Sequence, residues 1–224
     1  MTATRACLLL HGFTGGPYEV EPLADHLTTH GWTCALPTLP GHDKPLRELH
    51  RIPFGDWIRA AEAAVDALTR MYGAVDLVGF SMGGLIAAHL ANRYPIRRLA
   101  LLNAAVHYVS PVRFVRNALR VLREGDRRKL RLKKETPVGA VIEFAKLVRT
   151  LKPEFGRLAV PTFIAQGEQD EVVHPRSAFY IARRVKGWKT LAVYPHSRHL
   201  ICLEPDAPML FRHVERFFAE GRMP

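Results

Sequence analysis

Short apolar runs recur along the chain with amphipathic stretches between them. Residues 6–10, 32–36, 75–80, 96–102, 160–166 and 189–194 are brief and apolar or β-rich, and most run into glycine, proline or a polar turn, so they predict strands. Residues 19–30, 56–72, 83–93, 177–185 and 207–219 predict helices. In the second of these Trp57, Ala60, Ala61, Ala64, Val65, Leu68 and Met71 share one face, and Gly73 stops it. Residues 38–53 hold Pro40-Gly41, Pro45 and Pro53 and predict loop. Strands alternate with helices almost throughout, which predicts an α/β fold with a mostly parallel sheet and helices on both faces.

Between residues 105 and 155 the alternation lapses. Phe114, Val115, Ala118, Leu119, Val121 and Leu122 recur at helical spacing among Arg113, Arg116, Arg120 and Arg123. Residues 138–151 give a second helix with Val141, Ile142, Phe144, Ala145 and Val148. The length of 224 residues suits one core, so a single domain over 1–224 with one helical insertion is expected.

Charge marks the same segment. The chain carries 32 Lys and Arg against 21 Asp and Glu, a net +11. Residues 111–152 hold thirteen of the basic and four of the acidic ones, so the remainder is close to neutral. Evenly spread, that charge would point to nucleic acid. Here it forms one amphipathic face, and the run 127–134 has no aromatic interleaving. No nucleic-acid partner is expected; the basic face is either solvated or a weak contact with an anionic membrane surface. No apolar run reaches the ~18 residues of a membrane span, and 6–10 is too short for a signal-peptide core. Cys7, Cys34 and Cys202 cannot make a disulfide framework, so a reducing cytoplasm is the expected location. Nothing in the pattern sets an oligomeric state.

The candidate chemistry sits where strands end. Gly79-Phe80-Ser81-Met82-Gly83 fits G-x-S-x-G between a strand and a helix. Such a turn lifts the Ser81 hydroxyl clear of the sheet at the positive end of the following helix, and Gly79 and Gly83 make room for it. Glycine-rich strand-to-helix turns also bind phosphate, so context decides. After the first strand comes His11-Gly12-Phe13-Thr14-Gly15-Gly16-Pro17. From Gly12 onward this loop can aim the Phe13 N–H, with that of Met82, at one oxyanion. An acid and a base are expected at later strand ends. Asp170 and His199 are the preferred pair, with Glu168 and Glu171 as rival acids and His196 as rival base. Asp170 would orient His199, and His199 would take the Ser81 proton. His26 and His30 stand four apart on a predicted helix, an arrangement commoner in an exposed pair than in a ligand pair. With no H-E-x-x-H and no Cys/His cluster, no metal is expected.

On these residues the chain resembles the α/β-hydrolase superfamily, and within it the small bacterial carboxylesterases that group with monoacylglycerol lipases. The shared residues are Leu8-Leu9-Leu10-His11-Gly12-Phe13-Thr14-Gly15, Pro40-Gly41-His42, Asp56-Trp57, the Ser81 turn with Gly84, Pro161-Thr162-Phe163, Asp170, and Ser197 with His199. The similarity spans about Ala6 to Phe218. It implies an α/β-hydrolase fold, a Ser81–Asp170–His199 triad, an oxyanion hole from the Phe13 and Met82 N–H groups, a short helical cap over 106–155, and no cofactor. It implies a small acyl ester as substrate, a carboxylic ester or monoglyceride, with acyl thioesters as the alternative. A binding protein that uses the basic cap is the reading from another class. Phe114, Leu119, Leu122, Phe144 and Leu200 are the candidate pocket residues. Asp43 and Arg198 depart from the resemblance, since relatives usually carry glycine there.

Overall fold

The computed structural model describes residues 5–43, 46–107 and 136–221. Within them, six strands form one parallel sheet in the order β2-β1-β3-β4-β5-β6. The strands are β1 Arg5–Leu10, β2 Trp32–Ala35, β3 Val75–Phe80, β4 Ile96–Leu102, β5 Thr162–Gly167 and β6 Lys189–Tyr194. The helices are α1 Glu21–Thr29, α2 Phe54–Tyr72, α3 Met82–Ala91, α4 Val138–Leu151, α5 Arg176–Arg184 and α6 Ala207–Glu220. Some local expectations change. Glu19, expected to open the first helix, ends a separate 3₁₀ turn at Pro17–Glu19, β5 runs Thr162–Gly167 rather than 160–166, and the proline-rich loop contains a 3₁₀ helix at Leu46–Arg51.

Strand alternation divides the core into two layers. Ala6, Leu8, Leu10, Leu77, Leu99, Leu101 and Ile164 pack with residues of α2, α3, α4 and α5. Cys7, Leu9, Val78, Phe80, Ala100, Leu102, Phe163 and Ala165 pack with residues of α1 and α6. Every residue of β3 is buried, as a central parallel strand covered on both faces requires.

Of the insertion expected over 106–155, residues 106–107 and 136–155 are described. Its helix α4 buries Ala140, Phe144, Leu147, Val148 and Leu151, whereas Ile142 of the expected apolar face points outward. Glu143 reaches across to accept the Phe54 N–H at the start of α2 (3.0 Å). That bond satisfies one of the first-turn donors of α2 and ties the insertion to the body.

Candidate active site

Because all six strands run the same way, their C-terminal ends share one edge, and the loops after β1, β3, β4, β5 and β6 meet there. Ser81 stands between β3 and α3 with φ 52° and ψ −113°, outside the usual range for an L-residue. The turn is held from both sides. The Ser81 N–H donates to the Leu102 carbonyl (2.9 Å), and its own carbonyl accepts from the Gly84 and Ala105 N–H groups (3.1 Å each). A methyl group on Gly79 would lie 2.5 Å from the Gly83 carbonyl oxygen, and one on Gly83 would strike the Leu10 carbonyl. Glycine at both positions is therefore a steric requirement of this turn. The Ser81 hydroxyl is buried and has no hydrogen-bond partner among the described residues. Met82 opens α3, so its N–H belongs to the first turn, whose donors lack intrahelical acceptors.

Asp170 and His199 come from the loops after β5 and β6. The His199 Nδ1 lies 2.8 Å from Asp170 Oδ2. A carboxylate only accepts, so Nδ1 carries the proton and Nε2 carries the lone pair. The other carboxylate oxygen, Oδ1, accepts the Val172 and Val173 N–H groups at 2.8 and 2.9 Å. The Phe80 and His199 rings lie 5.0 Å apart, which brings the imidazole against the residue that precedes Ser81. The rival residues Glu168, Glu171 and His196 are all exposed.

One residue absent from the sequence reading links these loops. Asn103, at the end of β4, is fully buried with φ 45°. Its Nδ2 donates to the Arg198 and His199 carbonyls (3.1 and 2.8 Å), and its Oδ1 accepts the Gly167 N–H (2.8 Å). It thus fastens the histidine loop to the end of the acid-bearing strand. Gly167 has to be glycine here, since a Cβ would lie 2.5 Å from the Ser197 carbonyl. Asparagine tolerates the left-handed backbone better than most residues. Only the fold reveals its partners, which lie 64, 95 and 96 residues away.

The loop after β1 is fixed by two buried side chains. His11 Nδ1 lies 2.9 Å from the Gly12 carbonyl, while Nε2 accepts the Leu39 N–H (3.0 Å). Those two bonds require a neutral ring, and burial holds the His11 imidazole down to about 4. Glu19, which the sequence reading placed in a helix, is buried and accepts the Gly12 N–H at 2.9 Å. His42 packs against His11, Phe13 and Trp57, and Trp57 Nε1 donates to the Pro40 carbonyl. His42 and Trp57 therefore pack against the Phe13 ring, with Pro40 holding the Trp57 indole.

The family comparison agrees with this fold. The alpha/beta hydrolase fold family matches residues 6–153, and a second, described as serine aminopeptidase S33, matches residues 112–206. This chain belongs to the alpha/beta hydrolase fold family. A thermostable monoacylglycerol lipase from Bacillus sp. (strain H-257) is 29% identical over 95% of this chain and 90% of its own length. A carboxylesterase from Bacillus subtilis (strain 168) is 26% identical over 95% and 92%. Among solved structures, one reported for the metagenome-derived lipolytic enzymes LipS and LipT superposes with TM-score 0.82 at 23% identity, covering 97% of this chain and 94% of that one. The Paleococcus ferrophilus monoacylglycerol lipase gives 0.74 at 17%, covering 97% and 95%. The two structural likenesses establish the shared fold.

The remaining predicted positions of this alpha/beta hydrolase divide into three groups. The Phe144 ring stacks on that of Phe13, with centroids 4.8 Å apart and planes 12° from parallel. Leu200 is half-buried and packs against the layer beneath α1 and α6. Phe114, Leu119 and Leu122, with Arg116, Arg120 and Arg123, lie outside the described residues. At the two departures, Asp43 is exposed and Arg198 pairs with Glu204 (3.6 Å). Cys202 is buried, and burial pushes its thiol well up, the wrong direction for a nucleophile. No helix among the described residues is long and apolar enough to cross a membrane.

Proposed function

We propose that this hydrolase cleaves carboxylic esters through an acyl-enzyme on Ser81. The observation that carries the reading is the Asp170–His199 hydrogen bond formed against the positive-φ turn of Ser81. His199 Nε2 accepts the Ser81 proton as Oγ bonds to the ester carbonyl carbon. The developing oxyanion is met by the Phe13 and Met82 N–H groups. The intermediate collapses, the alcohol leaves with the proton from His199, and the acyl group stays on Ser81. Water then attacks the acyl carbon, gives a proton to His199, and the acid departs as Ser81 regains its hydrogen. These steps need no cofactor.

The stacked Phe13 and Phe144 rings suit an acyl chain better than a charged one. The names of the two Bacillus relatives, a monoacylglycerol lipase and a carboxylesterase, support the same substrate class. Residues 106–155 are read as a short cap on a single domain, with α4 as its anchor. Three unpaired cysteines fit a reducing cytoplasm.

A fluorophosphonate probe tests the nucleophile directly. One covalent adduct is expected, on the peptide containing Ser81, and p-nitrophenyl butyrate hydrolysis should fall in step with labelling. An adduct elsewhere, or hydrolysis that survives full labelling of Ser81, would refute the proposal. Asn103→Asp tests the loop clamp. It keeps the side-chain shape and the acceptor for Gly167 but turns an oxygen toward two carbonyls. We expect kcat to fall about 10²-fold, the scale of a 1 Å misplacement of a reacting group. KM should change little. A proportionate rise in KM at constant kcat would assign Asn103 to substrate binding instead.

A further inference from the structure

α1 and α6 lie side by side on the sheet face opposite α4, and their surface carries a cluster that the ester chemistry does not use. His26 is in the last turn of α1, and His30 caps that helix. Four residues apart, they lie on one side of the helix, with ring centroids 4.4 Å apart. Glu215 of α6 faces both. Its Oε2 is 3.0 Å from His26 Nε2 and 3.7 Å from His30 Nε2, and one donor atom from each residue lies within 4.8 Å of the others. The sequence shows only the histidine pair. The third ligand comes from a helix 189 residues further along the chain.

We propose that His26, His30 and Glu215 bind one divalent transition-metal ion, with Zn²⁺ as the best chemical match. Two imidazole nitrogens and a carboxylate oxygen are a borderline-soft set of the kind zinc takes. Ligands about 2.0–2.1 Å from a tetrahedral ion stand about 3.3 Å from one another, so no separation, at most 4.8 Å here, has to close by more than about 1.5 Å. The rings are already aimed. His30 Nδ1 donates to the His26 carbonyl (2.7 Å), which leaves Nε2 pointing toward Glu215. An imidazole that donates its other N–H to a carbonyl is the usual support for a ligating histidine. His26 is packed against the ring of Phe211, which limits its swing. His26 Nε2 and Glu215 Oε2 are already in hydrogen-bond contact at 3.0 Å, and an ion there would replace the proton between them while also taking His30 Nε2. His30 is 44% exposed, so an ion enters from solvent, and water completes the coordination.

The consequence is mechanical. An ion bridging α1 and α6 ties the helix that follows the Phe13 loop to the C-terminal helix. An ion that binds only the folded state raises stability by mass action.

Untagged, EDTA-treated protein titrated with ZnCl₂ should show saturable one-to-one binding, with a rise in the melting temperature. His30→Ala changes a partly exposed side chain and is expected to melt like the metal-free wild type. It should bind Zn²⁺ at least 10-fold more weakly, and Glu215→Gln should do the same. Ester hydrolysis by His30→Ala should match that of wild type, which separates this test from the Ser81 reading. Equal Zn²⁺ affinity in wild type and His30→Ala, or no one-to-one binding by wild type, would overturn the proposal.

Discussion

Ser81→Ala is expected to lower kcat on p-nitrophenyl butyrate by about 10⁶, the order associated with loss of a triad nucleophile. The fold should not suffer. Ser81 Oγ has no hydrogen-bond partner among the described residues, so its removal breaks none there. The turn is held by the backbone bonds to Leu102, Gly84 and Ala105, which alanine keeps. Alanine has the same Cβ, so the strain of φ 52° is inherited rather than added. The melting temperature should stay close to that of wild type while turnover collapses. Binding and the oxyanion donors are untouched, so KM should move little and a residual rate above water should persist. A variant that keeps more than a tenth of the wild-type kcat would remove Ser81 from the chemistry.

The ease of reading each part follows from the range over which its physics acts. Strands β3, β4 and β6 have the predicted bounds; β3 and β4 are central, and a parallel strand buried on both faces is largely apolar, whereas β6 is an edge strand with only Tyr194 buried and stops at Pro195. The Ser81 turn is equally local. Gly79 is set by contacts four to eight residues away and Gly83 by the end of the neighbouring β1, whose place is itself predictable from the βαβ pattern. The Asp170–His199 pair was a choice among rivals in the sequence, since nothing in a short polar loop says which acid turns inward. The fold settles their placement by burying Asp170 against the Val172 and Val173 N–H groups and leaving Glu168 exposed. Asn103, Glu19 and Glu215 were not legible at all. A lone polar residue acquires a role only when distant chain segments meet it, and no periodicity marks that in advance.

Asp170→Asn should cost about 10⁴ in kcat, although it changes one atom. The reason lies in how the side chain is held. Oδ1 accepts two backbone N–H groups, from Val172 and Val173, while Oδ2 faces His199 Nδ1. In the amide, the oxygen has to stay with the two N–H donors, because an NH₂ there would oppose both. The NH₂ is then forced toward His199. A donor facing Nδ1 selects the tautomer protonated at Nε2, and that nitrogen can no longer accept the Ser81 proton. The imidazolium also loses the carboxylate that would stabilise it. The loss should fall on kcat with KM nearly unchanged, and the folded structure should persist because the Val172 and Val173 bonds remain. Asp170→Ala should differ in one respect. It abandons those two buried donors, each at a cost of about 1–3 kcal/mol, so its melting temperature should drop as well as its activity. Glu168→Gln, on the exposed part of the same loop, should behave as wild type. If Asp170→Asn kept near-normal turnover while Glu168→Gln lost it, the acid would have to be reassigned.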